Sequence, residues 1–168
     1  KNIYERNVFR FTSIPFVSFT DRRIAIRGAH RALHVAQAVK LDIIHTQTEF
    51  SLGVMGKYVA RKMNIPCVHT YHTMYEDYLH YIANGKLLKP VHVKQISRSF
   101  LQNMNGIIAP SDRVLTTLRG YGVTEPITVI PTGVDLAKFS KADQVDYRKK
   151  YAIAADTPLL LTLSRLAY

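Results

Sequence analysis

The 168-residue chain has few cysteines and lacks long apolar runs. Its single cysteine, Cys67, excludes an internal disulfide, and its position within an apolar stretch indicates a buried thiol rather than a nucleophile. No apolar run approaches the roughly 20 residues that a membrane-spanning helix needs. At 47% apolar and 21% charged residues, the composition is that of a folded globular protein.

Acidic residues are also scarce: 12 Asp and Glu stand against 23 Lys and Arg, a formal net charge of +11. Such an excess favours an anionic partner, which can be a nucleic acid, a phosphate-bearing ligand or an anionic membrane surface. A merely solvated basic face explains any single cluster equally well. Because the basic residues are scattered and no helix-turn-helix, RNP-like or zinc pattern is present, we do not expect nucleic-acid binding.

Short apolar stretches alternate with segments of helical periodicity, which predicts parallel βαβ units. The fold class is therefore α/β, with a Rossmann-like parallel sheet and helices on both faces. The alternating residues 8–11 predict one further strand, ended by residues 14–16, and Ser51 is placed to cap a helix. The strands are predicted at 42–45, 66–69, 106–109 and 127–130, and the helices at 29–40, 51–63, 74–81, 91–104 and 112–119.

The composition changes after residue 130, where a turn leads into a charged stretch and then an apolar one. We therefore predict a first domain over residues 1–131, truncated at its N-terminal end, and a linker over 132–157. The apolar residues 159–163 predict the first strand of a second, incomplete domain over 158–168.

Polar residues follow the predicted strands, where the carboxyl ends of a parallel sheet place a site. For His69, inside its strand, we expect a hydrogen bond to a backbone carbonyl, whereas His72 lies beyond the strand and is expected to face a ligand. Glu49 has two interpretations, a helix cap or a contact to a substrate hydroxyl. With no HExxH motif or Cys/His pairing, no metal site is expected from His45, His69 and His72.

Three tyrosines spaced three apart, Tyr75, Tyr78 and Tyr81, share a face of the predicted helix at 74–81. Core packing is one interpretation. The other is a membrane-surface patch, because aromatic residues flanked by basic ones suit the lipid headgroup region. The basic members of that patch are Lys86, Lys89, Lys94 and Arg98.

Four segments together resemble retaining glycosyltransferases of family four, which have the GT-B fold: 42–53, 69–78, 108–111 and the Ile-Pro-Thr-Gly-Val-Asp sequence at 130–135. Within the family, residues 70–78 are most similar to the bacterial enzymes that glucosylate diacylglycerol. The resemblance implies an acceptor-side and a donor-side Rossmann-like domain separated by a cleft. It also implies UDP-glucose as donor, a diacylglycerol or other lipid acceptor, no metal or other cofactor, and peripheral attachment to the cytoplasmic face of a bacterial membrane.

By the same resemblance, His72 contacts the transferred sugar near the reaction centre, and Arg165 offsets charge on the donor diphosphate. Thr132 and Gly133 are implied on the donor side. The implied acceptor-side residues are His45, Glu49, Tyr71 and Glu76.

The chain departs from the family pattern in three respects. The glycine-rich loop of the first domain, the lysine that follows the diphosphate-binding arginine and the acidic pair of the second domain are all missing. The chain alone is therefore expected to be inactive. Two alternatives stay open: a family member with another acceptor (a phosphoinositide, a polyprenyl lipid or a soluble sugar), and a noncatalytic α/β module that binds an anionic ligand.

Overall fold

A computed structural model describes residues 7–16, 19–74, 90–139 and 146–162. The chain forms two compact units, Lys1–Thr132 and Gly133–Tyr168. The elements of the first unit are β1 (Ser13–Phe16), β2 (Phe19–Ala25), α1 (Ala29–Ala38), β3 (Ile44–Thr46), α2 (Ser51–Met63), β4 (Cys67–Thr70), α3 (Pro90–Leu101), β5 (Gly106–Ala109), α4 (Asp112–Gly120) and β6 (Ile127–Val129). The second unit contains the short helices α5 (Leu136–Phe139) and α6 (Tyr147–Lys150).

The predicted α/β class is confirmed by a four-stranded parallel sheet flanked by helices, in the order β3-β4-β5-β6. Parallel neighbours need a crossover, and right-handed crossovers between consecutive strands place their helices on one face. Accordingly, Gly56 of α2 lies beside the Thr46 side chain, and the Phe100 ring of α3 lies 5.0 Å from the ring of His69.

The core lies between this face of the sheet and helices α2, α3 and α4. Leu101, Ile107 and Leu118 are at most 1% exposed, and they join elements that are distant in sequence. Burying each such side chain contributes about 1.5–3 kcal/mol relative to leaving it in water. Cys67 is the buried free thiol that the sequence predicts, and burial raises its pKa.

The N-terminal residues do not form the strand predicted at 8–11. Instead β1 and β2 pair as an antiparallel hairpin, with Ser13 opposite Ala25, so residues 14–16 belong to a strand rather than ending one. An alternating pattern forms a strand only where a partner strand is available, and β2 pairs with residues 13–16. Pro15 is tolerated there because a two-stranded ribbon consists of edge strands only.

The cap predicted for Ser51 is wrong. Ser51 is the first residue of α2, and its Oγ accepts a hydrogen bond from the backbone N–H of Ala25 at 2.9 Å, so the hydroxyl is used to hold β2. Helix α4 does have a serine cap, since Ser111 Oγ accepts from the Val114 N–H at 3.4 Å. At its other end α2 stops at Asn64, which takes the left-handed conformation with φ of 54°.

In the second unit, the strand predicted at 159–163 is not formed over its described residues, 159–162. Leu160 and Leu161 are 93% and 83% exposed, and no described residue pairs with this stretch. A strand without a neighbour has no ladder hydrogen bonds to hold it extended, which explains the difference. Earlier in this unit, helix α6 begins after Asp146, whose carboxylate accepts hydrogen bonds from the backbone N–H groups of Arg148 and Lys149.

Within the described ranges, no helix is both long enough and apolar enough to cross a membrane.

Candidate active site

The carboxyl ends of β3 and β4 bring together two groups of polar side chains on opposite faces of the sheet. Side chains alternate along a strand, so Thr46 and His69 share the face that α2 and α3 cover. His45, Gln47 and Thr70 share the opposite face. The two groups form separate hydrogen-bond networks, one inside the protein and one at its surface.

The interior network is centred on His69, which is completely buried. Its Nδ1 lies 2.8 Å from Thr46 Oγ1, and its Nε2 lies 3.2 Å from Glu49 Oε1. Because a carboxylate only accepts hydrogen bonds, Nε2 carries a proton that it donates to Glu49. The expectation that His69 bonds a backbone carbonyl is wrong, since both ring nitrogens bond side chains.

Glu49 is thereby held in the loop that follows β3, with its side chain 7% exposed. Helix α2 has no side-chain hydrogen bond at its N-cap residue, Phe50. Neither of the two interpretations of Glu49, a helix cap or a contact to a substrate hydroxyl, included its hydrogen bond with His69. A contact from Glu49 to a substrate hydroxyl stays a prediction.

Tyr71 lies in the core, with no exposed surface. Its backbone N–H donates to the carbonyl of Ile108 at 3.0 Å, which extends the pairing of β4 with β5 by one residue. Its hydroxyl lies 3.0 Å from that of Ser97 on α3. The structure therefore gives this tyrosine a packing role, and its assignment to the acceptor side stays a prediction.

The surface network consists of Thr70, His45, Gln47 and His72. His45 Nε2 lies 2.7 Å from Thr70 Oγ1, and the amide nitrogen of Gln47 lies 3.2 Å from Nδ1 and 3.0 Å from Nε2 of the same ring. The amide oxygen of Gln47 lies 2.5 Å from His72 Nε2. His45, Gln47 and His72 are exposed, so this network is open to a ligand in solution.

The pKa of His45 is lowered from its ordinary value of 6.5, first by partial desolvation of its ring and then by the neighbouring His69 and His72. A lowered pKa keeps the His45 ring neutral near pH 7. A neutral imidazole retains one nitrogen lone pair, which can accept a hydrogen bond from the Gln47 amide.

The loop between β3 and α2 is held by a close approach of backbone to backbone. A Cβ atom built on Gly53 would lie 1.7 Å from the carbonyl oxygen of Thr48, a distance that no side chain can occupy. Gly53 thus lets the first turn of α2 pack directly against the loop that carries Gln47 and Glu49.

Among the described residues, no three His, Cys, Asp or Glu side chains are grouped so that they could hold a metal ion. His45 and His69 are engaged with Thr70, Gln47, Thr46 and Glu49, as described above.

The remaining predicted site residues fall into three sets. Thr132 is the last residue of the first unit and Gly133 is the first of the second, and both are exposed. Lys94 and Arg98 lie one turn apart on α3, both exposed, with the Arg98 guanidinium over Gly122. Seven residues lie outside the described ranges, and their roles stay predictions: Tyr75, Glu76, Tyr78, Tyr81, Lys86, Lys89 and Arg165.

Three residues that organise the two networks, and Ser97, which holds Tyr71 in the core, were not among the predicted site residues; the three are Thr46, Gln47 and Thr70. Strand alternation is the signal that could have found the three network residues. Residues two apart share a face, which places Gln47 with His45 and Thr70 with His72 on one side, and Thr46 with Ile44 on the other. Nothing in the sequence indicates that Ser97, on a helix, meets Tyr71.

Comparison with known proteins relates the chain to an enzyme family. The family model described as Glycosyltransferase Family 4 matches residues 1–138. The chain is 47% identical to the α-monoglucosyldiacylglycerol synthase of Streptococcus pneumoniae over 99% of its length, and 33% identical to that of Acholeplasma laidlawii over 92%. It spans 39% and 41% of the lengths of these two relatives.

Among solved structures, sucrose-phosphate synthase from Thermosynechococcus elongatus matches 77% of the chain with a TM-score of 0.54. That match covers 33% of the synthase chain at 22% sequence identity, and it supports the fold alone, which is that of a GT-B glycosyltransferase. The family model covers most of the chain and the two glycolipid synthases match nearly all of it. The chain therefore belongs to glycosyltransferase family 4.

Proposed function

We propose that the chain is the acceptor-side part of a retaining glucosyltransferase that moves glucose from UDP-glucose to diacylglycerol at a membrane surface. The observation that carries this proposal is the 47% identity to a monoglucosyldiacylglycerol synthase over 99% of the chain. Because the chain spans 39% of that relative, the activity is proposed for the full-length protein.

The surface network supports an acceptor-side role. Glucosyl transfer breaks the bond between the sugar C1 and the diphosphate oxygen and forms one between C1 and the acceptor oxygen. The acceptor proton passes to the leaving diphosphate. His72, which is exposed and hydrogen-bonded to Gln47, supplies a hydrogen-bonding group for a hydroxyl of the reacting molecules. Arg165 is proposed to offset the charge on the diphosphate.

The proposed membrane surface includes helix α3. Its buried side is formed by residues such as Val93, Ser97 and Phe100, while Lys94 and Arg98 are exposed. Ile96 is 57% exposed on the same helix. The exposed residues of this helix thus include basic and apolar groups, which suit the headgroup region of an anionic bilayer, and the formal charge of +11 acts in the same direction.

A transfer assay tests the function. The full-length protein is incubated with labelled UDP-glucose and, separately, diacylglycerol, a phosphoinositide, a polyprenyl lipid and a soluble sugar. We expect label in a glucosyldiacylglycerol with the α-configuration. Label in another product would show that the acceptor is not diacylglycerol. If the full-length protein transfers glucose to none of these acceptors, the alternative of a noncatalytic module that binds an anionic ligand would be favoured.

A further inference from the structure

Gln47 is the residue of the surface network that contacts both His45 and His72. It follows the last residue of β3, and its side chain reaches across to His72, beyond the end of β4. Its amide oxygen lies 2.5 Å from His72 Nε2, and its amide nitrogen lies 3.0 Å from His45 Nε2. His45 is in turn fixed by Thr70 at 2.7 Å.

The two ends of an amide have opposite hydrogen-bonding character, and this restricts the ring that each end contacts. The oxygen of Gln47 only accepts, so His72 Nε2 must carry a proton in this arrangement. A neutral His72 then keeps its lone pair on Nδ1. The nitrogen of Gln47 only donates, which matches a neutral His45, whose pKa is lowered by partial desolvation and by the neighbouring histidines.

We propose that Gln47 is a positioning residue that holds His72 as the Nε2–H tautomer, so that Nδ1 accepts a hydrogen bond from a substrate hydroxyl. The inference rests on the proposed function, because a sugar or glycerol hydroxyl is the group that the Nδ1 lone pair would meet. It adds Gln47 to the residues proposed for that function, and it specifies Nδ1 as the nitrogen of His72 that contacts the substrate.

Gln47 and His72 are exposed, and hydrogen bonds between exposed groups add little to the net stability of a fold. The effect of Gln47 is therefore on orientation. An imidazole ring has two freedoms that matter for a ligand, its rotation and its tautomer, and the amide restricts both. A ring that is held before the substrate binds does not have to be ordered in the reaction.

The first test reads the tautomer directly in the full-length protein, labelled with ¹⁵N-histidine. Nitrogen chemical shifts at pH 7.5 report which ring nitrogen carries the proton, and the His72→Ala spectrum identifies the signals of that ring. We expect the Nε2–H form for His72, and a mixture of the two tautomers after Gln47→Met, which has the same length and no amide. A dominant Nδ1–H form, or a tautomer unchanged by Gln47→Met, would overturn the inference.

The second test is kinetic and uses the same proteins. Gln47→Met should lower kcat by about tenfold or more, since small displacements at a reacting centre cost factors up to ~100, with a smaller change in KM for UDP-glucose. Gln47→Glu keeps an oxygen that accepts from His72 and should recover part of the loss. Gln37→Met, an exposed glutamine on α1, is the matched control and should leave kcat unchanged.

The two proposals fail in different ways. If the protein transfers no glucose to diacylglycerol but the His72 tautomer responds to Gln47→Met, the proposed function fails and the positioning by Gln47 stands. If transfer occurs and Gln47→Met changes neither kcat nor the tautomer, the positioning fails alone.

Discussion

The hydroxyl groups of Tyr71 and Ser97 hydrogen-bond at 3.0 Å inside the core, joining the end of β4 to helix α3. The residue that follows Tyr71 is His72. The path of the chain into the surface network is thus fixed from the interior by this pair.

Tyr71→Phe should destabilise the protein by about 1 kcal/mol, because the buried Ser97 hydroxyl loses its partner. Urea unfolding measures the change, and the Ser97→Ala/Tyr71→Phe double variant should recover part of it. Tyr58→Phe, on the partly exposed side of α2, is the control and should have little effect. If the Tyr71→Phe variant is as stable as the wild type, the hydrogen bond between Tyr71 and Ser97 does not contribute to the stability of the core.

The ring of His45 should titrate with a midpoint below 6.5, because partial desolvation and two neighbouring histidines disfavour its cationic form. NMR titration of the ring protons measures the midpoint. His72→Ala removes one of the two histidines that lower this pKa and should raise the midpoint towards 6.5. A midpoint above 6.5 in the wild type would contradict this arrangement of the three histidines.

Glu125 should contribute to stability at neutral pH and lose that contribution in acid. Burial of its carboxylate opposes ionisation, but hydrogen bonds from the backbone N–H groups of Asn103, at 2.9 Å, and Thr124, at 3.2 Å, outweigh burial and hold its pKa below 4.5. The unfolded carboxyl keeps its ordinary pKa, so stability falls as the pH drops from about 4.5 through the lower, folded value.

Glu125→Gln should flatten this part of the stability profile, as measured by urea unfolding between pH 6 and pH 3. Asp156→Asn, at an exposed position of the second unit, is the control. Equal slopes for Glu125→Gln and the wild type would show that the hydrogen bonds do not favour the charged form.

His72→Ala in the full-length protein should remove glucosyl transfer while leaving the fold intact. His72 is exposed, so its truncation leaves no cavity in the core. Transfer from labelled UDP-glucose measures the first effect, and circular dichroism with thermal unfolding measures the second. Unchanged turnover in a folded variant would remove His72 from the active site.

The full-length protein should bind vesicles that contain anionic lipid and lose that binding in salt. The Debye length shortens from about 10 Å at 0.1 M to about 3 Å at 1 M, which screens the attraction of exposed basic side chains. Lys94→Gln should weaken binding roughly fivefold, since a basic residue near an anionic surface is worth about 1 kcal/mol.

Sedimentation with vesicles measures this binding, with Lys40→Gln, beyond the end of α1, as the control. Binding that is the same at 0.1 M and 1 M salt would count against the electrostatic part of the proposal.

The parallel sheet was predictable from the sequence because its signal is local. Strands β4 and β5 lie within one residue of their predicted positions, since apolar runs bounded by polar residues define them. The hairpin β1–β2 was not predictable in the same way, because it depends on which of two neighbouring stretches finds a partner. The predicted strand at 159–163 failed for the same reason over its described residues.

The location of the candidate site could be predicted from the sequence, but the hydrogen bonds between its side chains could not. The ends of β3 and β4 carry it, as the position of polar residues after apolar strands indicates. Which histidine is buried and which is exposed depends on the face that each strand position takes. Cys67, His69 and Tyr71 alternate onto the covered face, whereas His72 falls on the opposite one. Contacts between side chains of different elements, such as that of His69 with Glu49, leave no pattern in the sequence and could not be predicted from it.

The contact between Gly53 and the Thr48 carbonyl has a consequence for how this protein can vary. If every position from 47 to 56 were randomised and functional variants were selected, position 53 should accept glycine alone, because any Cβ would displace the loop. The exposed neighbours Leu52 and Val54 should accept many residues. A glycine with no functional group of its own would thus be the least replaceable residue of the segment, and its loss would be mistaken for the loss of a catalytic group.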